Sequence, residues 1–565
     1  MRTLFSALLA AFLLASLAAA QEDLTAAMPA DTVAYVRLTG LREQWTRFFQ
    51  SAVWKRVETS TLPDIARGLR QAKDGIAAFE AQMNIKLEEH IAAVLGTDAA
   101  ALICADGNYV ILIRTADLPK LQATREFLSN IFRQQGRLVR ENTERFEGVD
   151  LYTGDLVTPG KPDAPPRGLH YAVDGDLFML SGDLETLRKA VLTLKGKRPA
   201  LAASPKHVKA VELFRKDAFL RAYGDGELFV QSGLADRLRP AFGRKPAAKV
   251  LFDIFKANAA STPFVTIDAA GGDRFDLHAV RMIDAAKLPG VPGKFLPAPD
   301  SRLDLAAAVP ADAVFSLVHQ VNKAALWSAL LDVLKAVDPV IAENVLFRAR
   351  QVATALGGID LEKELLPALG DAAALIGLPG GEKDLPALAL VLEIKDTQRL
   401  PTALRTLAGA GVVVAQIEAQ KAQKPAPAAV ERVTYKDVEL MTVRLANPKL
   451  AQLLNPTLFA LNGRLIVTTS AASARRMVDT LTLPPARPAA EPGTCGTLAV
   501  NAAALLRTFQ QYRPALFQNS LAEGKTEAVA NKDLDGLQFI LGLFESVDGS
   551  ILRRADRLEA SLVVR

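Results

Sequence analysis

The amino-acid sequence predicts an α+β fold: two tandem homologous copies, each an antiparallel sheet with helices packed on one face. Three observations predict it. Apolar runs come in pairs across tight-turn dipeptides, as in "AAALICADGNYVILIRT" (99–115) and "YAVDGDLFMLS" (171–181), and Asp-Gly and Asn-Gly accept the positive φ angles of a short hairpin. Helical spacings fall between these pairs without a regular strand–helix–strand alternation, which favours antiparallel pairing. Blocks of sequence also recur in one order: "MPADTVAYVRLTG" (28–40) returns as "VPADAVFSLVHQV" (309–321), "FEGVDLYT" (146–153) as "YKDVELMT" (435–442), and "RFDLHAV" (274–280) as "RLEASLV" (557–563).

The elements follow in chain order. Residues 1–20 carry Arg2, an uncharged apolar run and a small-residue Ala18-Ala19-Ala20 end, the pattern of a secretory signal peptide. The first copy spans 21–286. After Pro29, "TVAYVRL" alternates and is β-branched, which predicts a strand. Residues 41–59 place Leu41, Trp45, Phe48, Phe49 and Val53 at helical spacing, with Trp45 on the buried stripe. A second helix is expected over 62–82. The hairpins at 99–115 and 171–181 follow, the latter leading into a helix at 183–195. A break at "KGKRPALAASPK" (195–206) separates a larger part (21–195) from a smaller one (206–286).

"KLPGVPGKFLPAPDSR" (287–302) has four prolines and two glycines, which predicts a stiff extended linker. The second copy, 303–565, repeats the scheme. "LEEHIAAVLGTDAAALI" (87–103) returns as "LEKELLPALGDAAALI" (361–376). "FALNGRLIVTT" (459–469) answers the second hairpin with Asn-Gly, a helix follows at 471–481, and "LPPARPAAEPG" (483–493) divides a larger part (303–482) from a smaller one (494–565). The period far exceeds the 20–50 residues of solenoid repeats, so the units are duplicated domains. Two further Pro-rich stretches, 158–168 and 421–430, do not correspond and read as loops.

Charge and composition exclude several functions. With 67 Lys and Arg against 62 Asp and Glu, mixed along the chain, the sequence lacks the basic stripe that nucleic acid requires. No stretch beyond the signal is apolar enough to span a membrane; the best, 313–337, carries His319, Lys323, Asp332 and Lys335. These features predict an exported protein, periplasmic or extracellular, with no transmembrane anchor after signal cleavage. The two cysteines, Cys104 and Cys495, stand nearly 400 residues apart in apolar settings and read as separate thiols.

No catalytic pattern stands out. The chain contains no GxGxxG, Walker, GxSxG, SxxK or HExxH pattern. Its histidines, His90, His170, His207, His278 and His319, are scattered without a helical i, i+4 pair, and His90 and His278 match Glu364 and Ala560 in the second copy. Asp31 and Asp312 of the repeated Pro-Ala-Asp read as turn carboxylates that satisfy backbone N–H groups. "NKDLDGLQFILG" (531–542) begins like a calcium loop, but Gly542 stands where the bidentate Glu belongs. No catalytic, metal or cofactor residue is assigned.

The "PADTVAYV" opening after a signal peptide, the "LGTDAAALI" block and the Asp-Gly hairpins resemble a family of exported bacterial proteins, the domain of unknown function numbered three-three-five-two. That resemblance implies export and an α+β repeat, with no activity to transfer. Together these readings favour a non-catalytic envelope protein that binds or scaffolds a partner. Two alternatives stay open: a carrier or sensor of an apolar ligand such as lipid, and a hydrolase with a dispersed site.

Overall fold

Among the described residues, twenty strands and the helices between them form two compact units in the computed structural model, Met1–Ala241 with Lys256–Lys287, and Phe242–Phe255 with Leu288–Arg565. The structure describes residues 24–60, 62–83, 86, 98–134, 136–157, 167–243, 246–271, 274–284, 286–287, 297–298, 301–355, 360–380, 386–396, 429–444, 455–484 and 490–565. The signal segment, His90, most of 287–302 and most of the two unmatched Pro-rich stretches lie outside the described residues.

The first unit holds β1 (Thr32–Thr39), β2 (Asp98–Cys104), β3 (Tyr109–Arg114), β4 (Leu138–Phe146), β5 (Val149–Leu156), β6 (Arg167–Asp174), β7 (Leu177–Ser181), β8 (Leu220–Gly224), β9 (Val265–Ala270) and β10 (Phe275–Met282). Within the unit they pair antiparallel in the order β10-β9-β8-β1-β2-β3-β7-β6-β5-β4. The region after β1, expected as one helix, is two: α1 (Leu41–Gln50) and α2 (Ala52–Glu58). Ser51 interrupts them because its side chain accepts from Trp54 N and caps the second. The Trp45 side chain is outside the described residues. The next helix, α3 (Pro63–Met83), meets expectation.

One helix, α4 (Leu184–Leu194), lies on one face of this sheet. Asp183 caps it by accepting from Thr186 N, and Leu187, Ala190 and Val191 point inward at helical spacing. They complete a core with Leu102, Leu112, Leu151 and Met179, each 1 % exposed or less. Alternation along the strands follows from this one-sided cover: Leu102 is 1 % exposed and its neighbour Ile103 is 45 %.

The second unit holds β11 (Phe315–Gln320), β12 (Leu369–Leu378), β13 (Ala387–Ile394), β14 (Ala429–Tyr435), β15 (Val438–Arg444), β16 (Thr457–Leu461), β17 (Arg464–Thr468), β18 (Thr494–Asn501), β19 (Ser546–Arg553) and β20 (Arg557–Val564). Their order is β20-β19-β18-β11-β12-β13-β17-β16-β15-β14, again all antiparallel, and it matches the first unit strand for strand. Helices α5 (Lys323–Val337) and α6 (Pro339–Ala355) follow β11. Helix α7 (Ala471–Thr482) starts at a capping box on Ser470 and covers Val318, Ile376, Val391 and Ile466 with Met477, Val478 and Leu481. A helical hairpin, α8 (Ala502–Ala522) and α9 (Glu527–Gly542), follows β18.

The turn chemistry explains the hairpins. Asn462 and Gly463 both take positive φ (50° and 71°) between the paired residues Leu461 and Arg464, as a two-residue primed turn requires. Glu147 and Gly148 do the same between β4 and β5. The Asp-Gly of 99–115 differs: it sits in a four-residue connection, 105–108, closed by Cys104 N donating to Asn108 O.

Candidate binding surface

Each sheet has a second face, turned away from α4 or α7, and its composition is unusual. In the second unit, strand register places Gly549, Leu498, Leu317, Leu375 and Leu390 in one row across β19, β18, β11, β12 and β13. One flanking row holds Val547, Val500, Phe315, Gly377 and Leu388; the other holds Ile551, Gly496, His319, Ala373 and Leu392. None of these positions carries a charge, and His319 is the one polar side chain among them. Leu317 is 44 % exposed, Leu388 45 % and Ile551 46 %.

The corresponding grid of the first unit is also free of charge. Its rows are Val265, Gly224, Ala34, Ile103 and Tyr109; then Ile267, Ala222, Val36, Ala101 and Ile111; then Ala269, Leu220, Leu38, Ala99 and Ile113. Val36, Ile103, Tyr109 and Ile267 are exposed. The third row is closed in both units: Leu38, Ala99 and Ala269 are buried in the first, with Phe219 and Ile113 packed on Leu38 and Ala99, and Gly496 and Ala373 are buried in the second, where Leu392 packs against Met441, Leu458 and Leu465. Covering a fully exposed Leu or Ile contributes about 1.5–3 kcal/mol, so half-exposed rows of this kind favour an occupant. Contiguous apolar surface of this sort marks interaction sites.

The covered faces differ. Across β10, β9, β8 and β1 the first unit aligns His278, Asp268, Arg221 and Arg37. Asp268 is fully buried; it accepts from Arg215 Nε at 2.5 Å and contacts His278 Nδ1 at 3.3 Å. Burial acts to raise the Asp268 carboxyl, but hydrogen bonds from His278 and Arg215 outweigh it and hold the group below the usual carboxylate range. Arg37 forks onto Asp98, with Nη2 at 2.6 Å. The same register in the second unit reads Ser561, Ser550, Thr497 and Val318, with the two serine hydroxyls 2.7 Å apart.

The other sequence candidates have structural fates. Asp31 and Asp312 do not act as simple turn carboxylates. Lys189 of α4 lies 2.6 Å from Asp106 and 3.9 Å from Asp31, and Arg476 of α7 pairs with Asp312 while donating to Pro379 O at 3.2 Å. In both units a helix cation thus ties the Pro-Ala-Asp segment to the connection after the second strand. Cys104 and Cys495 are free and buried. Burial, followed by Asp31 and Asp106, pushes the Cys104 thiol up to about 12, so it is no nucleophile at neutral pH. His207 is a core residue, 3.0 Å from Tyr35 Oη and edge-on to Tyr223. Residues 531–542 lie inside α9, where Asp535 pairs with Arg513 and Asp533 with Lys525, so they form no calcium loop. Among the described residues no group of three or more His, Cys, Asp or Glu is placed to hold a metal ion, and no helix is long and apolar enough to cross a membrane.

The apolar-ligand alternative drawn from the sequence allowed for a sheet with one open face but named none of the residues that line it. The available signal was the near-continuous apolar character of "YVILIR" and "ALALVLEI", which marks strands apolar on both sides. No family model, curated protein or solved structure matches this chain.

Proposed function

We propose that this chain is an exported, non-catalytic binding protein of the cell envelope, built from two modules that arose by tandem duplication. The duplication is supported by the ordered sequence blocks and by two sheets that share one strand order. The binding role is supported by one observation above others: both sheets keep an uncharged apolar face partly exposed opposite the helix-covered core. Two such faces on one chain allow a partner to be engaged twice, which raises avidity without new contacts. The resemblance to exported bacterial proteins fits the same reading.

Photo-crosslinking tests the role. A benzophenone amino acid is placed at Val36 or Leu317 of the full chain, with exposed Glu523 as the control position, and each protein is incubated with envelope extract. The proposal expects discrete adducts from the two open faces and none from Glu523. Adduct patterns that do not differ from the control overturn it.

A further inference from the structure

The open face of the second unit has a feature that selects its occupant. His319 sits among hydrocarbon, and its cross-strand neighbours are Gly496 on one side and Ala373 on the other. Both are small, so the imidazole lies in a shallow niche at one end of the apolar rows. Its Nδ1 is buried and makes no hydrogen bond. Leaving such a group unsatisfied costs about 1–3 kcal/mol. The first unit has Leu38 and Leu220 at the corresponding places, both apolar and packed together. The polar niche is therefore particular to the second unit.

We propose, building on the binding role above, that this face receives the hydrocarbon chain of a long-chain fatty acid, with the acid's carboxylate meeting the His319 imidazole. The leucine rows are complementary to an uncharged chain: Leu498, Leu317, Leu375 and Leu390 span three strand spacings, about 14 Å. Beside the row the Phe315 ring lies over Gly377 and adds apolar surface. At the niche, an imidazole N–H donates to the carboxylate. Lys323 supplies positive charge nearby while its ammonium holds the carbonyls of Gly370 and Ala372. Burial, then Lys323, lowers the His319 pKa, so the ring is neutral and keeps one N–H donor and one acceptor. A protein partner would ordinarily meet a polar rim around an apolar centre, and these rows supply a single polar group at one end.

The test uses the purified full-length protein, stripped of lipid and titrated with cis-parinaric acid, whose fluorescence rises in apolar surroundings. Saturable binding is expected. Gly496→Ala narrows the niche at a site where an added Cβ meets only ordinary contacts, the nearest 3.7 Å away, so Tm should stay near that of the parent. It should weaken binding about tenfold or more. Leu375→Lys should abolish binding, and His319→Leu should weaken the acid more than the corresponding fatty alcohol. No saturable binding, or one Kd shared by the parent and all three variants, overturns the proposal. So does a concentration-dependent dimer that Leu375→Lys dissolves, because the face then belongs to a second copy. If crosslinks from Leu317 to an envelope protein persist while parinaric acid fails to bind, the ligand is wrong and the binding role stands. Loss of both removes both.

Discussion

The two units share a strand order but spend their polar residues on opposite faces. The first sets a polar row, His278–Asp268–Arg221–Arg37, on its covered face around the fully buried Asp268, and fills one end of its open face with Leu38 and Leu220. The second has hydroxyl and apolar groups in the corresponding row and sets a lone histidine on the other face. Buried polar groups are ordinarily hydrogen-bonded, and His319 Nδ1 is one that is not. On the proposal above, the difference separates a structural use of charge in the first unit from a recognition use of His319 in the second.

Substitutions at matched positions break or sharpen this contrast. The largest effect is expected at Asp268. Asp268→Ala leaves the Arg215 charge and His278 without their shared partner, and removing one side of a buried ion pair costs about 3–5 kcal/mol. At the corresponding place Ser550→Ala removes one hydroxyl contact, worth about 1 kcal/mol. Urea unfolding of the full-length variants measures both, and equal losses would erase the distinction. Next come a covered face and an open one. Leu112→Ala, in the core, should cost about 2–5 kcal/mol, whereas Leu390→Ala, on the open face, should cost less than half as much by the same assay.

The pH dependences are smaller and differ in position. The Asp268 carboxyl is depressed on folding, so its stabilisation is present above the ordinary carboxylate pKa of about 4 and is lost as pH falls through the folded value. The parent protein should accordingly lose stability relative to Asp268→Asn below about pH 4. The folded pKa of His319 is also lowered, by burial and then by Lys323. The unfolded chain then binds the proton more readily, and stability declines as pH drops below about 6.5. His319→Leu should flatten that decline, and an unchanged slope in thermal melts from pH 7.5 to 5 (about the range around the reference value) would count against the niche. The smallest effects are the matched helix caps: Asp183→Ala and Ser470→Ala should each cost about 1 kcal/mol.

Local chemistry made the framework legible in the sequence. Asn462-Gly463 announces its hairpin because few dipeptides accept two positive φ angles, and Asp183 and Ser470 announce the helices they cap. Ser51 was harder to read, since the apolar spacing of 41–59 runs through it while its side chain caps a new helix. The Asp-Gly at 106–107 signals a turn but not the length of its connection. The recognition face is written in residues that no local window joins. His319, Gly496 and Ala373 come together only through the pairing of three strands, and the histidine is polar in a strand whose other positions look like core. Asp268 and Arg215 are likewise distant in sequence and meet because the sheet order places β9 beside β8.

The most direct test of the account replaces two open-face leucines with lysine, Leu317→Lys and Leu375→Lys together, and measures thermal unfolding alongside binding to envelope extract. If the face is a working surface, Tm should stay within a few degrees of the parent, as exposed substitutions ordinarily cost within about 0.5 kcal/mol each, while binding disappears. Unfolding of the double variant would show that the face is internal core, and retained binding would show that the partner is held elsewhere.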